Sequence, residues 1–371
     1  MLWRRIHVVA VSALLVLSAA CEDQGPGSLS DPSAMSAELE AMDSAFDGPA
    51  VQSYSEVSGL IAPTAGGALR RAAIVVEGST PTLRHEPAYL RGTKRADAWR
   101  KLVPQVAELS AGPIIPDPIM GTTFEWDTAG NAYVATARAG APANGVRFIL
   151  YGVNPITDEP IEPLVEVGLV DLMDESTTGN LRLHIRVQGV GGTPTYLDYT
   201  AAIVVGSTSF TATVNGSVSN GEGGAALKTL TFNVSFQVSQ NAVTESASYD
   251  LNSPSISVDV FLRLTAGVSA INVAVDFRFA RPGEIVRLLA SMTLASIGDD
   301  LVVSGTISVT VNNGIFARAT ATGGAEPVWV RHDGTALTPE ELGALQRLFS
   351  AVARFFDFTT DLLDPVDELI E

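Results

Sequence analysis

The sequence predicts a mainly β protein: a large curved antiparallel meander sheet or half-open barrel, with N-terminal and C-terminal helices packed against it. Three observations predict it. Apolar and polar residues alternate in one segment after another between about residues 180 and 312. Turn-forming residues separate those segments. Both ends of the chain carry apolar residues at helical spacing.

The alternation is the strongest signal. Leu181, Leu183, Ile185 and Val187 alternate with Arg182, His184, Arg186 and Gln188. Leu230, Phe232, Val234, Phe236 and Val238 alternate with Thr231, Asn233, Ser235 and Gln237. Val258, Val260, Leu262 and Leu264 share one parity, as do Ile271, Val273, Val275, Phe277 and Phe279. Leu301, Val303, Ile307, Val309 and Val311 repeat the pattern. A period of two places all the apolar side chains of a strand on one face.

The breaks between segments are Ser219-Asn220-Gly221, Arg281-Pro282-Gly283, Gly298-Asp299-Asp300 and Asn312-Asn313-Gly314. Connections this short exclude βαβ crossovers and dictate antiparallel hairpins. The β domain is expected over residues 111–335. Its first hairpin is expected where Phe124–Asp127 and Tyr133–Arg138 flank Thr128-Ala129-Gly130-Asn131. No motif recurs at a fixed period, which excludes a solenoid or propeller.

A one-sided sheet needs a cover. Residues 31–110 read as a mixed helical and loop segment. It opens with Asp31 as N-cap and Pro32 at the first helical position, followed by a stripe of Met35, Leu39, Met42 and Phe46. A second short helix is expected around Trp99 and Val103. The basic run from Arg70 to Lys101 is expected to pair with the acidic arm before it, which has no Lys or Arg over residues 22–69, the alternative being a contact with lipid headgroups or an acidic partner. Residues 336–371 read as amphipathic helices packing on the β domain. Thr338-Pro339-Glu340-Glu341 forms a capping box ahead of Leu342, Leu345, Leu348, Phe349, Val352, Phe355 and Phe356. Another short helix is expected from Pro365 onward.

Residues 1–20 have the build of a signal peptide. Arg4 and Arg5 are followed by an apolar run from Ile6 to Leu17, too short for a membrane span, and then by Ser18-Ala19-Ala20. The chain's one cysteine, Cys21, comes next, and residues 21–30 read as a flexible tether. The segment resembles the lipobox of bacterial lipoprotein precursors, although the family's usual Leu three places before the Cys is here Ser18, with Leu17 one further back. The resemblance implies cleavage after Ala20 and lipidation of Cys21. It places the protein in the bacterial cell envelope, on a membrane's periplasmic or cell-surface side. Acyl chains bury methylenes at roughly 0.8 kcal/mol each, so such an anchor needs no help from the protein surface.

The formal charge of -18 argues against nucleic-acid partners and against attraction to anionic lipid. The single cysteine excludes an intramolecular disulfide. His85, His184 and His332 are far apart, and no metal-ligand, nucleophile-elbow or phosphate-loop spacing occurs. Gly189-Val190-Gly191-Gly192 precedes a strand and reads as a hairpin loop. Asp171, Asp174 and Glu175 form the densest acidic turn, without calcium-loop spacing. No catalytic residue, cofactor or metal is expected, and the chain is not expected to be an enzyme. An outer-membrane barrel is disfavoured by the helical C-terminus and the mid-strand position of the phenylalanines.

Two readings of function follow. In the first, a cavity of the curved sheet holds a hydrophobic small molecule, a lipid or acyl chain, against Phe232, Val234, Phe236, Val260, Leu262, Val275, Phe277, Phe349 and Phe356. That architecture is similar to periplasmic lipoprotein carriers. In the second, the core is fully packed and the protein is a structural or interaction lipoprotein.

Overall fold

The computed structural model describes residues 27–43, 50, 54, 113–130, 132–154, 160–206, 209–239, 242–266, 270–297, 300–321, 328–348 and 362. The leader, Cys21, the basic run, the helix expected around Trp99, Phe349, Phe356 and the helix expected from Pro365 lie outside the described residues. The chain divides into two compact units. The first comprises Met1–Asp43 and Phe232–Phe356, the second Ser44–Thr231 and Asp357–Glu371.

The protein is mainly β. The second unit holds β1 (Thr122–Asp127), β2 (Ala132–Thr136), β3 (Gly145–Tyr151), β4 (Glu166–Asp174), β5 (Asn180–Gly189), β6 (Thr195–Val205) and β7 (Ser209–Ser219). The first unit holds β8 (Thr229–Ser239) from Phe232 onward, then β9 (Ala242–Leu251), β10 (Ile256–Ala266), β11 (Ala270–Arg281), β12 (Glu284–Ile297), β13 (Asp300–Val311), β14 (Gly314–Ala321) and β15 (Val328–Arg331). Neighbours from β3 to β7 and from β9 to β15 pair antiparallel, as the short turns require. β2 and β15 are terminal in the strand order, so neither unit's ladder closes on itself.

One pairing departs from the expected all-antiparallel meander. β1 lies parallel to β3, with Phe124 opposite Phe148, while its hairpin partner β2 takes the edge. The loop after β2 therefore carries the chain across β1 before β3 begins. Phe124 and Phe148 stack at 4.9 Å, and Tyr133 meets Phe148 edge-on at 5.3 Å, which fixes this arrangement.

In the first unit the period of two becomes two kinds of rung. Ala247, Val260, Phe277, Leu288, Val309 and Ala317 stand opposite one another across six strands, and all are buried. The next rung is Ser248, Asp259, Arg278, Arg287 and Thr310, on the opposite face. Each fully buried Val, Leu or Phe of the apolar rungs contributes roughly 1.5–3 kcal/mol.

Two helices of the same unit bury apolar stripes of their own. In α1 (Pro32–Asp43), Met35, Leu39 and Met42 are buried at the expected spacing. Asp31 caps it, accepting a hydrogen bond from the Ala34 amide at 2.8 Å. The chain is already fastened before the helix, because the Gly27 amide donates to the Ile315 carbonyl at 3.0 Å and Leu29 is buried. Arg281, at the Pro282-Gly283 turn, donates to Glu38 at 3.1 Å and to the Asp31 carbonyl at 3.0 Å. Glu284 pairs with Arg281 and accepts from the Ser30 amide at 2.6 Å. The second helix, α2, covers residues 339–348. Its capping box is closed, with Glu341 N donating to Thr338 Oγ1 at 3.2 Å and Thr338 N to Glu341 Oε2 at 2.7 Å. Ala344, Leu345 and Leu348 are its buried residues.

In the second unit Tyr199 of β6 is buried, as are Leu197, Ala201 and Ile203 on the same parity of that strand. Its hydroxyl donates to the Leu362 carbonyl at 3.0 Å and shares a 2.7 Å hydrogen bond with the Tyr54 hydroxyl.

Candidate functional site

Seven of the nine residues expected to face a ligand lie among the described residues. Phe232, Val234, Val260, Val275 and Phe277 are buried, and Phe236 and Leu262 are half-buried. The ladder sets Val260 opposite Phe277 and Leu262 opposite Val275. Val260, Leu262, Val275 and Phe277 therefore share one face of the ladder, and Met35, Leu39, Met42, Leu345 and Leu348 of the same unit's helices are buried as well.

That face also carries a buried carboxyl. Glu245 of β9 is opposite Leu262, 4% exposed, and its Oε1 has no hydrogen-bond partner. Burial alone pushes its carboxyl well above the ordinary value.

The opposite face carries a groove of about 540 Å3 across β8–β13. Its floor is the polar rung and the rung beside it. Asp259 and Arg278 stand opposite each other and pair at 2.8 Å. Arg287, opposite Arg278, reaches diagonally to Asp276 with two hydrogen bonds of 2.9 and 2.6 Å. The Asp276 carboxylate raises the Arg287 guanidinium above its ordinary pKa, outweighing the effect of burial. Phe261, opposite Asp276, is 40% exposed, and Ile285 of the same groove is 39% exposed. Ser246, Ser248 and Asn233 add neutral donors and acceptors.

The sequence reading missed this face because it followed only the in-phase residues. Phe261 falls between Val260 and Leu262, and Ile285 precedes Val286, so both are out of step with their strands' apolar parity. An apolar residue on the polar parity is the signal that would have found them.

A second charged row crosses one face of β3–β6. Arg147, Asp171, Arg186 and Asp198 stand opposite one another in turn. Arg147 grips Asp171 with bonds of 2.7 and 2.8 Å, and Arg186 reaches Asp198 at 3.1 Å. His184 bridges Asp198 at 2.6 Å and Glu175 at 3.4 Å. Hydrogen bonding from Arg182 holds the Glu175 carboxyl below its usual range. Asp174 accepts from the amides of Ile115 and Ser176 at 2.8 and 2.9 Å. The expected acidic turn is instead the end of a strand, since Asp171 and Asp174 belong to β4 and only Glu175 follows it, and among the described residues no three or more His, Cys, Asp or Glu are placed to hold a metal ion. The Gly-rich loop is a hairpin connection between β5 and β6, with Gly191 and Gly192 at φ 79° and 87°.

No protein-family model matches the sequence, and comparison with curated proteins and with solved structures finds no match.

Proposed function

We propose that the chain is a lipid-anchored cell-envelope protein without enzymatic activity that binds its partner on the outward face of β8–β13, with its apolar interior packed. The observation that carries this reading is the division of apolar surface. Val258, Phe277, Phe279 and Val309 are fully buried on one side of the ladder, and Met35 and Met42 of α1 are fully buried too. Phe261 and Ile285 stay exposed in a groove of charged and hydroxyl side chains on the other side. Exposed apolar groups set among convergent polar ones mark binding surfaces. In this reading the first unit's ladder curls over its own helices as a half-open barrel.

The N-terminus supports the location. Arg4-Arg5, the apolar run and Ser18-Ala19-Ala20 stand before the chain's one cysteine. No helix among the described residues is long and apolar enough to cross a membrane. In this reading attachment rests on the acyl chains of Cys21. Mass spectrometry of full-length protein from bacterial membranes tests this half, with an N-terminal peptide beginning at acylated Cys21 expected. An unmodified Cys21 overturns it. A photo-crosslinking residue at position 285 tests the other half in cells. A covalent adduct is expected there and not at Val190, which is exposed outside the groove. Equal capture at both positions, or none at 285, overturns it.

A second reading keeps the ligand inside. Glu245 lacks a partner, and Phe236 and Leu262 beside it on the apolar face are only half-buried. A lipid or acyl chain held there survives purification of Cys21→Ser protein without detergent and is found in its organic extract. An extract free of lipid removes this reading.

A further inference from the structure

We infer that the groove on the outward face of β8–β13 is a carbohydrate site that takes an uncharged glycan chain, an inference that rests on the outward-face reading above. The groove carries no net charge. The groove's four ionised side chains are two carboxylates and two guanidiniums, and they neutralise each other in pairs, Asp259 with Arg278 and Asp276 with Arg287. A neutral groove on a chain of formal charge -18 offers nothing to a polyanion and no unbalanced carboxylate to a cation. It suits a ligand that is polar but uncharged.

Its hydrogen-bonding groups keep spare capacity. The four side chains remain between 35% and 50% exposed although paired. A guanidinium carries five N–H donors and a carboxylate has about four lone-pair sites, so each pair has capacity left over for a ligand. The pairing itself holds these groups still, and donors and acceptors alternate over neighbouring rungs of the ladder. Adjacent hydroxyls on a sugar ring need a donor and an acceptor side by side. Ser246 and Ser248, on the same strand and face, extend the pattern with neutral hydroxyls.

Phe261 supplies an aromatic face. Its ring lies exposed beside Asp276 and the Asp259–Arg278 pair, where the strand parity calls for a polar residue. An aromatic face is electron-rich and attracts polarised C–H groups. A pyranose has one face of C–H bonds and a rim of hydroxyls, which matches a ring surrounded by charge-assisted partners. A purely apolar ligand would have to strip water from four charges, which no fatty chain compensates. The volume of about 540 Å3 falls within the usual small-ligand range. All these side chains stand on strands, so little conformational freedom is lost on binding.

The test uses full-length protein in a zwitterionic detergent that contains no sugar. It is titrated with cellotetraose, chitotetraose and maltotetraose, with a heparin tetrasaccharide as the charged comparison. Saturation transfer from protein aromatic protons to the ring C–H protons of at least one neutral tetrasaccharide is expected, and none to heparin. Phe261→Ala is expected to weaken binding about tenfold or more, with Phe261→Tyr retaining it. Asp276→Asn weakens it comparably without disturbing the ring. Thermal melts confirm that the variants fold. Failure of all three neutral sugars, preference for heparin, or unchanged binding by both Phe261→Ala and Asp276→Asn overturns the inference. If the sugars fail while position 285 still crosslinks in cells, the glycan assignment falls and the outward-face reading stands. If both fail, that reading falls with it.

Discussion

Glu245 on β9 stands directly opposite Leu262 on β10, on the apolar side of the ladder. Its carboxyl is buried, its Oε1 receives no hydrogen bond, and burial raises its pKa well above the ordinary 4.5. The folded protein therefore holds a proton that the unfolded chain releases once pH passes the ordinary carboxylate range. Stability from this group is greatest below that range and falls as pH rises toward the elevated folded value. Glu245→Gln should flatten that part of the pH profile. Glu245→Leu should stabilise the protein at pH 8 by about 1–3 kcal/mol. Urea titrations at pH 5 and pH 8 measure both effects, and an unchanged slope in Glu245→Gln contradicts the assignment.

Arg281 and Glu284 fasten the start of α1 to the β11–β12 turn. Both side chains are almost wholly buried, and Glu284 also holds the Ser30 amide. Arg281→Ala leaves a buried carboxylate without its cation, at a cost of about 3–5 kcal/mol. Replacing Arg281 and Glu284 together with Met and Leu should recover much of the loss. Denaturation midpoints of the single and double variants check this.

The Tyr199 hydroxyl joins three distant parts of the chain by its bonds to Tyr54 and to the Leu362 carbonyl. Tyr199→Phe keeps the ring and removes those hydroxyl bonds, and should cost about 1–3 kcal/mol. Leu197→Ala, one alternation away in the same core, should cost about 2–5 kcal/mol by leaving a cavity. Urea unfolding separates the two. A Tyr199→Phe protein as stable as wild type contradicts the bridging role.

Gly305 lies within β13 at φ 138°, and a Cβ there would run into the Ser291 carbonyl oxygen of β12. Gly305→Ala should therefore cost about 1–3 kcal/mol. Gly334 sits at φ 82° in a turn with open space around its Cβ position. Gly334→Ala should show conformational strain alone, about 1–2 kcal/mol. Paired thermal melts decide between close packing and conformation at residue 305.

Local chemistry made much of this fold legible. The strands with clean alternation, such as β5 and β11, needed only the period of two. Asp31 and the Thr338–Glu341 box announced their helices because caps are local. Asn312 and Asn313 adopt φ of 49° and 70°, the left-handed pair that a tight hairpin needs. Other elements obeyed longer-range rules. β9 hid because Glu245 occupies an apolar position. β12 hid because Ile285 and Leu289 put apolar residues on its polar parity, which blurs the alternation. The parallel β1–β3 pairing depends on β2 taking the edge, and no short-range motif encodes that. The outward groove was invisible for the same reason as β12, since its aromatic residue breaks the rule by which strands are recognised.

The central claim is that successive residues of the first unit's strands face opposite worlds, a packed interior and an open binding face. Ser246 and Ala247 are neighbours on β9, the first exposed and lining the groove, the second buried. Single Ser246→Cys and Ala247→Cys proteins, treated with a polar maleimide under native conditions, test that division directly. The account predicts that Cys at 246 reacts nearly as fast as a free thiol and that Cys at 247 reacts only when the protein unfolds. Comparable rates at the two positions, or faster reaction at 247, would contradict it.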